Sequence, residues 1–476
     1  MEKIRRAACS LRGTPAVPAI LILVLLLGAG CTLGNKQITS ASELTIEQEM
    51  EAFVQAHVAT RQFMGAALVA RGDEVLFSKG FGMANLEWDV PNNPETVFRL
   101  GSLVKQFTAA AILQLQDQGL LSVTDPVSRY LPDFPHGDEI TLRQLLNHSS
   151  GVPDLPEYID LASHGPILRQ AATLDELIGR AAGQPLQFAP GSQFQYSNIG
   201  YVMLGRIIEK VTGQSYATYL TEHIFQPLEM TATGYDVAAD IVPRRSAGYT
   251  WDGSAYHNSE FIDMSNAGGA GGLISTAPDM YKWDRALYTD KVLSADARNA
   301  FFTPTVSMEP GVGYAYGWAI LETPEHTMAV HCGGVNGFDT FVIRDPAEEL
   351  YVIVLSNVEN PDAQNVAEGL AAIAYGEPYE LAQQRSAVEL DPAIYAKYVG
   401  AYQLTPDIMI TVTTRDGRLF ARNGGNPEFE IYPESETDFF ARVADLRLSF
   451  QVNADGTVTG MNISENGQEL QAEKVE

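Results

Sequence analysis

The chain is 476 residues long and 45% hydrophobic, with 59 acidic against 31 basic side chains, a formal net charge of −28 at pH 7. That composition specifies a folded globular protein with room for one large and one smaller domain, or for two to three domains of ordinary size. The acidic balance excludes nucleic acid as a partner, because no basic patch can dominate such a field.

At the N-terminus Lys3, Arg5, Arg6 and Arg12 precede an apolar run, Ala19 to Leu27, that is too short to be a comfortable membrane span. Small residues lead from it into Gly28-Ala29-Gly30-Cys31, which resembles the lipobox of bacterial lipoproteins, where the cysteine is acylated and becomes the first mature residue. The match is imperfect, since Leu27 stands one position further from Cys31 than the usual leucine and Gly28 takes its place. Residues 1–31 are therefore expected to be an export signal and 32–44 a polar tether, with the protein held at a membrane by lipid on Cys31 and facing the periplasm or cell exterior. Secretion after ordinary cleavage and an uncleaved anchor are the rival outcomes. Cys9, Cys31 and Cys332 are the three cysteines, so a lipidated chain keeps one free thiol and no disulfide. The eight histidines show no metal-ligand spacing, and neither a metal nor a cofactor is expected.

A helix is predicted from Thr45, where Thr45-Ile46-Glu47-Gln48 fits a capping box. Residues 65–85 alternate like a hairpin turning at Arg71-Gly72-Asp73. Next comes Ser102-Leu103-Val104-Lys105 at the start of an apolar helix that Gly119 stops. One turn separates the serine from the lysine, so both face the same way. A serine hydroxyl needs a neighbouring base to become a nucleophile. Lys105 can be that base if desolvation lowers its pKa, and the helix N-terminus favours an oxyanion forming at Ser102.

Residues 141–151 predict a short helix ending at Gly151, with His148 read as a structural hydrogen-bonder. Tyr196-Ser197-Asn198 follows Pro190-Gly191 and opens a further apolar helix ending near Gly213. A phenol beside Ser102 and Lys105 can relay a proton, and an amide can hold a substrate. Ala267 to Gly272, with four glycines, lacks the Gly-Lys-Ser/Thr of a phosphate loop and predicts a tight turn. His331-Cys332-Gly333-Gly334 ends the predicted strand 327–330, and strands 340–344 and 350–356 complete an antiparallel meander. Glycine there lets a substrate backbone approach closely and can offer a second oxyanion donor.

Ser102-x-x-Lys105, Tyr196-x-Asn198 and His331-x-Gly333, in that order and spacing, resemble the serine beta-lactamase and penicillin-binding protein superfamily, particularly its class C beta-lactamase-related branch. The resemblance runs from about Thr45 to Ala374. It implies an α+β fold: an antiparallel sheet covered by helices, with a helical lobe beside it and the site between them. It further implies that Ser102 is the acylated nucleophile, that Lys105 and Tyr196 handle its proton, and that Asn198, His331, Gly333 and Gly334 bind substrate, with the N–H groups of Ser102 and Gly334 as the oxyanion hole. The penicillin-recognising members begin the third motif with lysine, whereas this chain has His331. That departure points to an esterase or a D-amino-acid-specific peptidase acting on a small peptide, ester or beta-lactam-like substrate. The alternatives are a D-alanyl-D-alanine carboxypeptidase or weak beta-lactamase, and a non-catalytic acylated sensor or binding module. If His331 faces the cleft, imidazolium appearing toward pH 6 should begin to favour carboxylate-bearing substrates; the alternative is that His331 hydrogen-bonds Tyr196 and never meets substrate.

With the catalytic domain assigned to 45–375, residues 376–392 predict a linker. Residues 393–476 then predict a small antiparallel β-barrel, with strands at 409–413, 418–422, 429–432, 438–443, 447–452 and 458–463. This segment resembles the lipocalin-like barrel attached to some beta-lactamase-related peptidases, and a structural cap or substrate gate is its expected role.

Overall fold

The computed structural model describes residues 44–475 other than 62, 160–165, 360–361, 406–407, 425–427 and 466–467. The expected export signal, most of the tether and Cys31 lie outside the described residues. No helix among the described residues is long and apolar enough to cross a membrane.

Helix α1 (Ile46–Ala59) begins at the Thr45 capping box, in which Thr45 Oγ1 accepts from Gln48 N–H and Gln48 Oε1 accepts from Thr45 N–H. Strands β1 (Gly65–Arg71) and β2 (Glu74–Phe81) form the expected hairpin around Gly72, whose φ of 58° suits glycine. Helix α2 (Val104–Asp117) carries Lys105, and helix α3 (Asn198–Thr212) carries Asn198 at its first position. Strands β3 (Val306–Glu309), β4 (Val312–Tyr314), β5 (Ala319–Glu322), β6 (Thr327–Val335), β7 (Phe338–Asp345) and β8 (Leu350–Ser356) complete an eight-stranded sheet in the order β3-β4-β5-β6-β7-β8-β1-β2. Every neighbouring pair in it is antiparallel.

Both faces of the sheet are covered, and β7 and β8 are buried along their whole length. Successive side chains alternate between faces. Ala66, Leu68 and Ala70 of β1 join Tyr351, Ile353 and Leu355 of β8 in the core shared with the helices on that face, of which the segment Ala277–Ala286 contacts both strands. Ala67, Val69, Val352 and Val354 pack on the other face against Phe53 of α1 and Val366 and Leu370 of helix α4 (Asp362–Tyr375). The predicted meander is present, but β6 continues through the His331 motif to Val335, so the motif lies inside the strand and not at its end. Beyond Val330 the strand has outrun β5, whose pairing covers only residues 327–330.

The C-terminal segment closes into an eight-stranded barrel, β9 (Gly400–Thr405), β10 (Ile408–Arg415), β11 (Arg418–Asn423), β12 (Phe429–Pro433), β13 (Asp438–Ala441), β14 (Leu446–Val452), β15 (Val458–Glu465) and β16 (Gln468–Lys474). Tyr398, Tyr402, Phe439 and Phe450 fill its core, with the Tyr398 and Phe450 rings 4.5 Å apart. Six of these strands match the sequence expectation. The first and last do not, because β16 reads Gln-Glu-Leu-Gln-Ala-Glu-Lys and shows no apolar run. The expected linker divides in two. Tyr379 packs edge-on against Phe53 at 5.4 Å and donates to Glu49, whereas Arg385 pairs with Glu434 and Val388 N–H bonds the Pro433 carbonyl. Trp251 Nε1 reaches across to the Arg442 carbonyl at 3.0 Å. A chain ending at Glu380 keeps the Tyr379 contact and should unfold cooperatively with a Tm within a few degrees of the full-length catalytic transition. One ending at Tyr375 loses the contact of the half-buried Tyr379 ring with Phe53, worth about 1 kcal/mol, and should melt lower, which calorimetry of the two chains resolves.

Candidate active site

Ser102 lies in a single 3-10 turn, Gly101–Leu103, that runs directly into α2. The turn presses on β6. A Cβ at Gly101, whose φ is +53°, would stand 2.7 Å from Gly334 N, and one at Gly333 would stand 2.2 Å from the Leu100 carbonyl oxygen and 3.1 Å from Ser102 N. Glycine at both positions is therefore a steric requirement of bringing the first and third motifs together. Gly334 itself is exposed, with open space where a side chain would be.

The Lys105 amine is fully buried. Its Nζ meets Ser102 Oγ at 3.0 Å, Asn198 Oδ1 at 2.8 Å and the Ala270 carbonyl at 3.0 Å. Burial lowers its pKa to about 7, against the opposing pull of Asp154 and Cys332. The carbonyl and amide oxygens can only accept. A neutral Lys105 thus donates its two N–H groups to Asn198 and Ala270 and turns its lone pair to the Ser102 hydroxyl, the arrangement of a general base.

Tyr196 stacks between this amine, 4.7 Å from its ring centroid, and the His148 ring at 4.2 Å. Burial holds the phenol's pKa well above its usual value, opposed by a hydrogen-bonding effect of the nearby Ser102 hydroxyl. Tyr196 Oη is buried yet makes no hydrogen bond of regular geometry. It is a neutral donor held ready, not a phenolate base. Asn198 is fixed from behind: its Nδ2 donates to Asp154 Oδ2 at 2.9 Å while Asp154 Oδ1 accepts from Ile199 N–H at 2.9 Å. Burial lifts the Asp154 carboxyl to about 6, against those bonds and Lys105.

The structure brings Ser102, Lys105, Tyr196, Asn198, Gly333 and Gly334 to one place. The exception to its expected role is His331. Its ring is fully buried, with Nε2 3.0 Å from Tyr314 Oη and Nδ1 2.6 Å from the Cys332 carbonyl. Tyr314 Oη also meets His148 Nε2 at 3.2 Å, and His148 Nδ1 accepts from Ser197 N–H at 3.1 Å. One proton arrangement satisfies every member: His148 donates to Tyr314, Tyr314 to His331, and His331 to Cys332. Both imidazoles are then neutral. Burial, reinforced by Lys105, lowers the pKa of each, that of His331 to about 3. No imidazolium forms near pH 6 and both ring nitrogens are occupied, which corrects the expectation of a titrating side chain facing substrate.

The expectation for Ala267 to Gly272 is corrected too. In place of a tight turn, Gly268–Gly271 is a short helix following the 3-10 turn Met264–Asn266. Its glycines permit close packing, since a Cβ at Gly269 would lie 2.7 Å from the Tyr201 carbonyl, and its Ala270 carbonyl holds Lys105. Asp154 and Tyr314 were not singled out by sequence. The one available signal for Asp154 was a lone carboxylate in the otherwise apolar Val152-Pro153-Asp154-Leu155.

A serine and lysine one turn apart, with a tyrosine ring over the lysine amine and glycines where the first and third motifs meet, fit the fold of a serine hydrolase. The family model described as Beta-lactamase matches residues 50–375, and the Domain of unknown function (DUF3471) matches 384–474. Penicillin-binding protein 4* of Bacillus subtilis is 32% identical over 433 residues, covering 86% of this chain and 95% of that protein. A D-stereospecific amidohydrolase from Streptomyces sp. superposes with a TM-score of 0.57 at 26% identity, over 66% of this chain and 94% of its own. The octameric penicillin-binding protein homologue from Pyrococcus abyssi shares the fold with a TM-score of 0.64 at 24% identity, over 90% of this chain and 99% of its own. The chain belongs to the beta-lactamase and penicillin-binding protein family of serine hydrolases.

With a neutral Lys105 amine acting as base, kcat/KM for an ester should rise with pH through a midpoint near the Lys105 value of about 7 and then level off. Ionised Asp154 raises the Lys105 pKa, so Asp154→Asn should move that midpoint to lower pH. A midpoint that stays put or rises would remove Asp154 from the electrostatics of the base.

Proposed function

We propose that this protein hydrolyses ester or amide bonds through an acyl-enzyme on Ser102, as an esterase or a D-amino-acid-specific peptidase. The observation that carries the reading is the buried Lys105 amine, with two fixed acceptors and its remaining position on Ser102 Oγ. As Ser102 Oγ bonds to the substrate carbonyl carbon, its proton passes to Lys105, and the N–H groups of Ser102 and Gly334 receive the oxyanion. Tyr196 gives its proton to the leaving oxygen or nitrogen and is reprotonated from Lys105. Water, activated by the same base, then cleaves the acyl bond. A sensor needs only acylation, so the complete proton-handling set favours turnover over a binding module.

Substrate preference follows from the third motif. A neutral His331 supplies no positive charge, so a substrate lacking a free carboxylate, an ester or an aminoacyl amide, is favoured over its carboxylate-bearing twin. This weighs against D-alanyl-D-alanine carboxypeptidase or beta-lactamase activity. A fluorophosphonate should label Ser102 in the wild type and nothing in Ser102→Ala, and label on another serine would overturn the assignment. For a matched carboxylate and amide pair, kcat/KM should favour the amide at every pH from about 5.5 to about 8.5, without the swing toward carboxylate that an imidazolium would cause. A tenfold carboxylate preference at pH 8 would contradict the charge argument.

Export and lipidation at Cys31 complete the proposal, supported by the basic, apolar and small-residue sequence that leads to it. The protein should enter the detergent phase on phase partition, and Cys31→Ser should leave it soluble or unprocessed. A mature N-terminus beyond Cys31 would refute the anchor.

A further inference from the structure

Thr340 of β7 lies opposite Gly333 in the sheet register and is fully buried. Its Oγ1 stands 2.9 Å from the Leu100 carbonyl oxygen and 3.2 Å from the Gly333 carbonyl oxygen. Both partners are acceptors, so the single hydroxyl proton is shared between two backbone carbonyls that belong to different motifs. Leu100 leads into the Ser102 turn. The Gly333 carbonyl is in the peptide that also contains Gly334 N–H, and in a planar trans peptide the two point in opposite directions. With the carbonyl turned to Thr340, Gly334 N–H faces the edge of β6 that β5 leaves uncovered beyond Val330.

We propose that Thr340 is a positioning residue for the oxyanion hole, one hydroxyl that pins the two backbone segments whose N–H groups receive the developing charge. This rests on the acyl-enzyme reading above. Substrate never touches Thr340. The hydroxyl sets the aim of Gly334 N–H through the Gly333 carbonyl and the separation of the two donors through Leu100. The gap is too tight for another side chain to take over, because a Cβ on Gly333 would stand 2.3 Å from Thr340 Oγ1. Oxyanion donors act on charge that appears only in the transition state, and misaiming one lowers kcat with little effect on substrate binding.

The test compares Thr340→Val, which keeps the shape and removes the hydroxyl, with Thr340→Ser, which keeps the hydroxyl. On an ester substrate, Thr340→Val should lose ~10-fold or more in kcat with KM within about twofold, and affinity for a boronic acid that forms a tetrahedral adduct on Ser102 should fall in parallel. Thr340→Ser should restore kcat to within about threefold of wild type. If Thr340→Val does not fold, Thr340→Ala removes the same hydroxyl without the second methyl and serves in its place. Wild-type kcat in the folded hydroxyl-free variant, an effect confined to KM, or equal losses in the valine and serine variants would each overturn the proposal. Fluorophosphonate labelling separates the two levels. A wild type not labelled at Ser102 refutes the acyl-enzyme itself, whereas a labelled wild type whose hydroxyl-free variant reacts equally fast refutes only the role of Thr340.

Discussion

The burial of one amine governs the site. An unfolded chain keeps the proton on Lys105 up to its ordinary pKa of 10.5, while the folded chain releases it near 7. Between those values the unfolded state binds more protons, so this group's contribution to stability rises with pH, and at pH 7 and below its full cost of ~5 kcal/mol is present. That is comparable to the net stability of a domain. The rest of the helix offsets it. From Val104 to Leu113 every residue of α2 is buried, and those apolar side chains contribute roughly 1.5–3 kcal/mol each where they are large. The core is organised so that a lysine can sit inside it without a counter-ion on its amine.

The second constraint is steric. Ser102 arrives on the turn that leads into α2 and Gly334 on a strand, and the two backbones meet with no side chain between them. Gly101 and Gly333 meet that requirement, and β6 outruns β5 so that its edge remains bare where Gly334 is exposed. An eight-stranded sheet buried on both faces holds β6 against β7 and makes this register rigid, because a slip of one residue would exchange the two apolar faces.

Sequence reached the parts of this arrangement that are written locally. A serine and lysine three apart, a tyrosine two before an asparagine, and paired glycines in a strand each carry their chemistry within a few residues. The capping box at Thr45 and the hairpin at Gly72 were legible for the same reason. What escaped was set by tertiary contact. Asp154 matters because it holds Asn198, forty-four positions on, and Ala270 matters only through a backbone carbonyl, which no residue type announces. The glycines around it look like a turn in sequence, yet they serve helix packing against Tyr201 and Gly205. In the barrel, β16 is hard to read because Leu470 and Ala472 are its two apolar residues, both joining the core, and its polar residues match a loop as well as a strand.

His331 shows how one side chain redistributes charge across the whole site. The resemblance to penicillin-recognising relatives places a lysine at this position, and a lysine there would add a cation beside Lys105, pressing its pKa down by repulsion. In this chain the depression comes from desolvation alone, opposed by Asp154, and the third motif contributes an imidazole whose two nitrogens are committed to Tyr314 and Cys332. Tyr314 carries that commitment on to His148 and the Tyr196-Ser197-Asn198 segment. The histidine therefore stands in a neutral hydrogen-bond chain that ties the second motif to the third. Protonating either imidazole would break a bond in that chain as well as bury a cation near Lys105, so the same network that orders the motifs also disfavours charge on both rings.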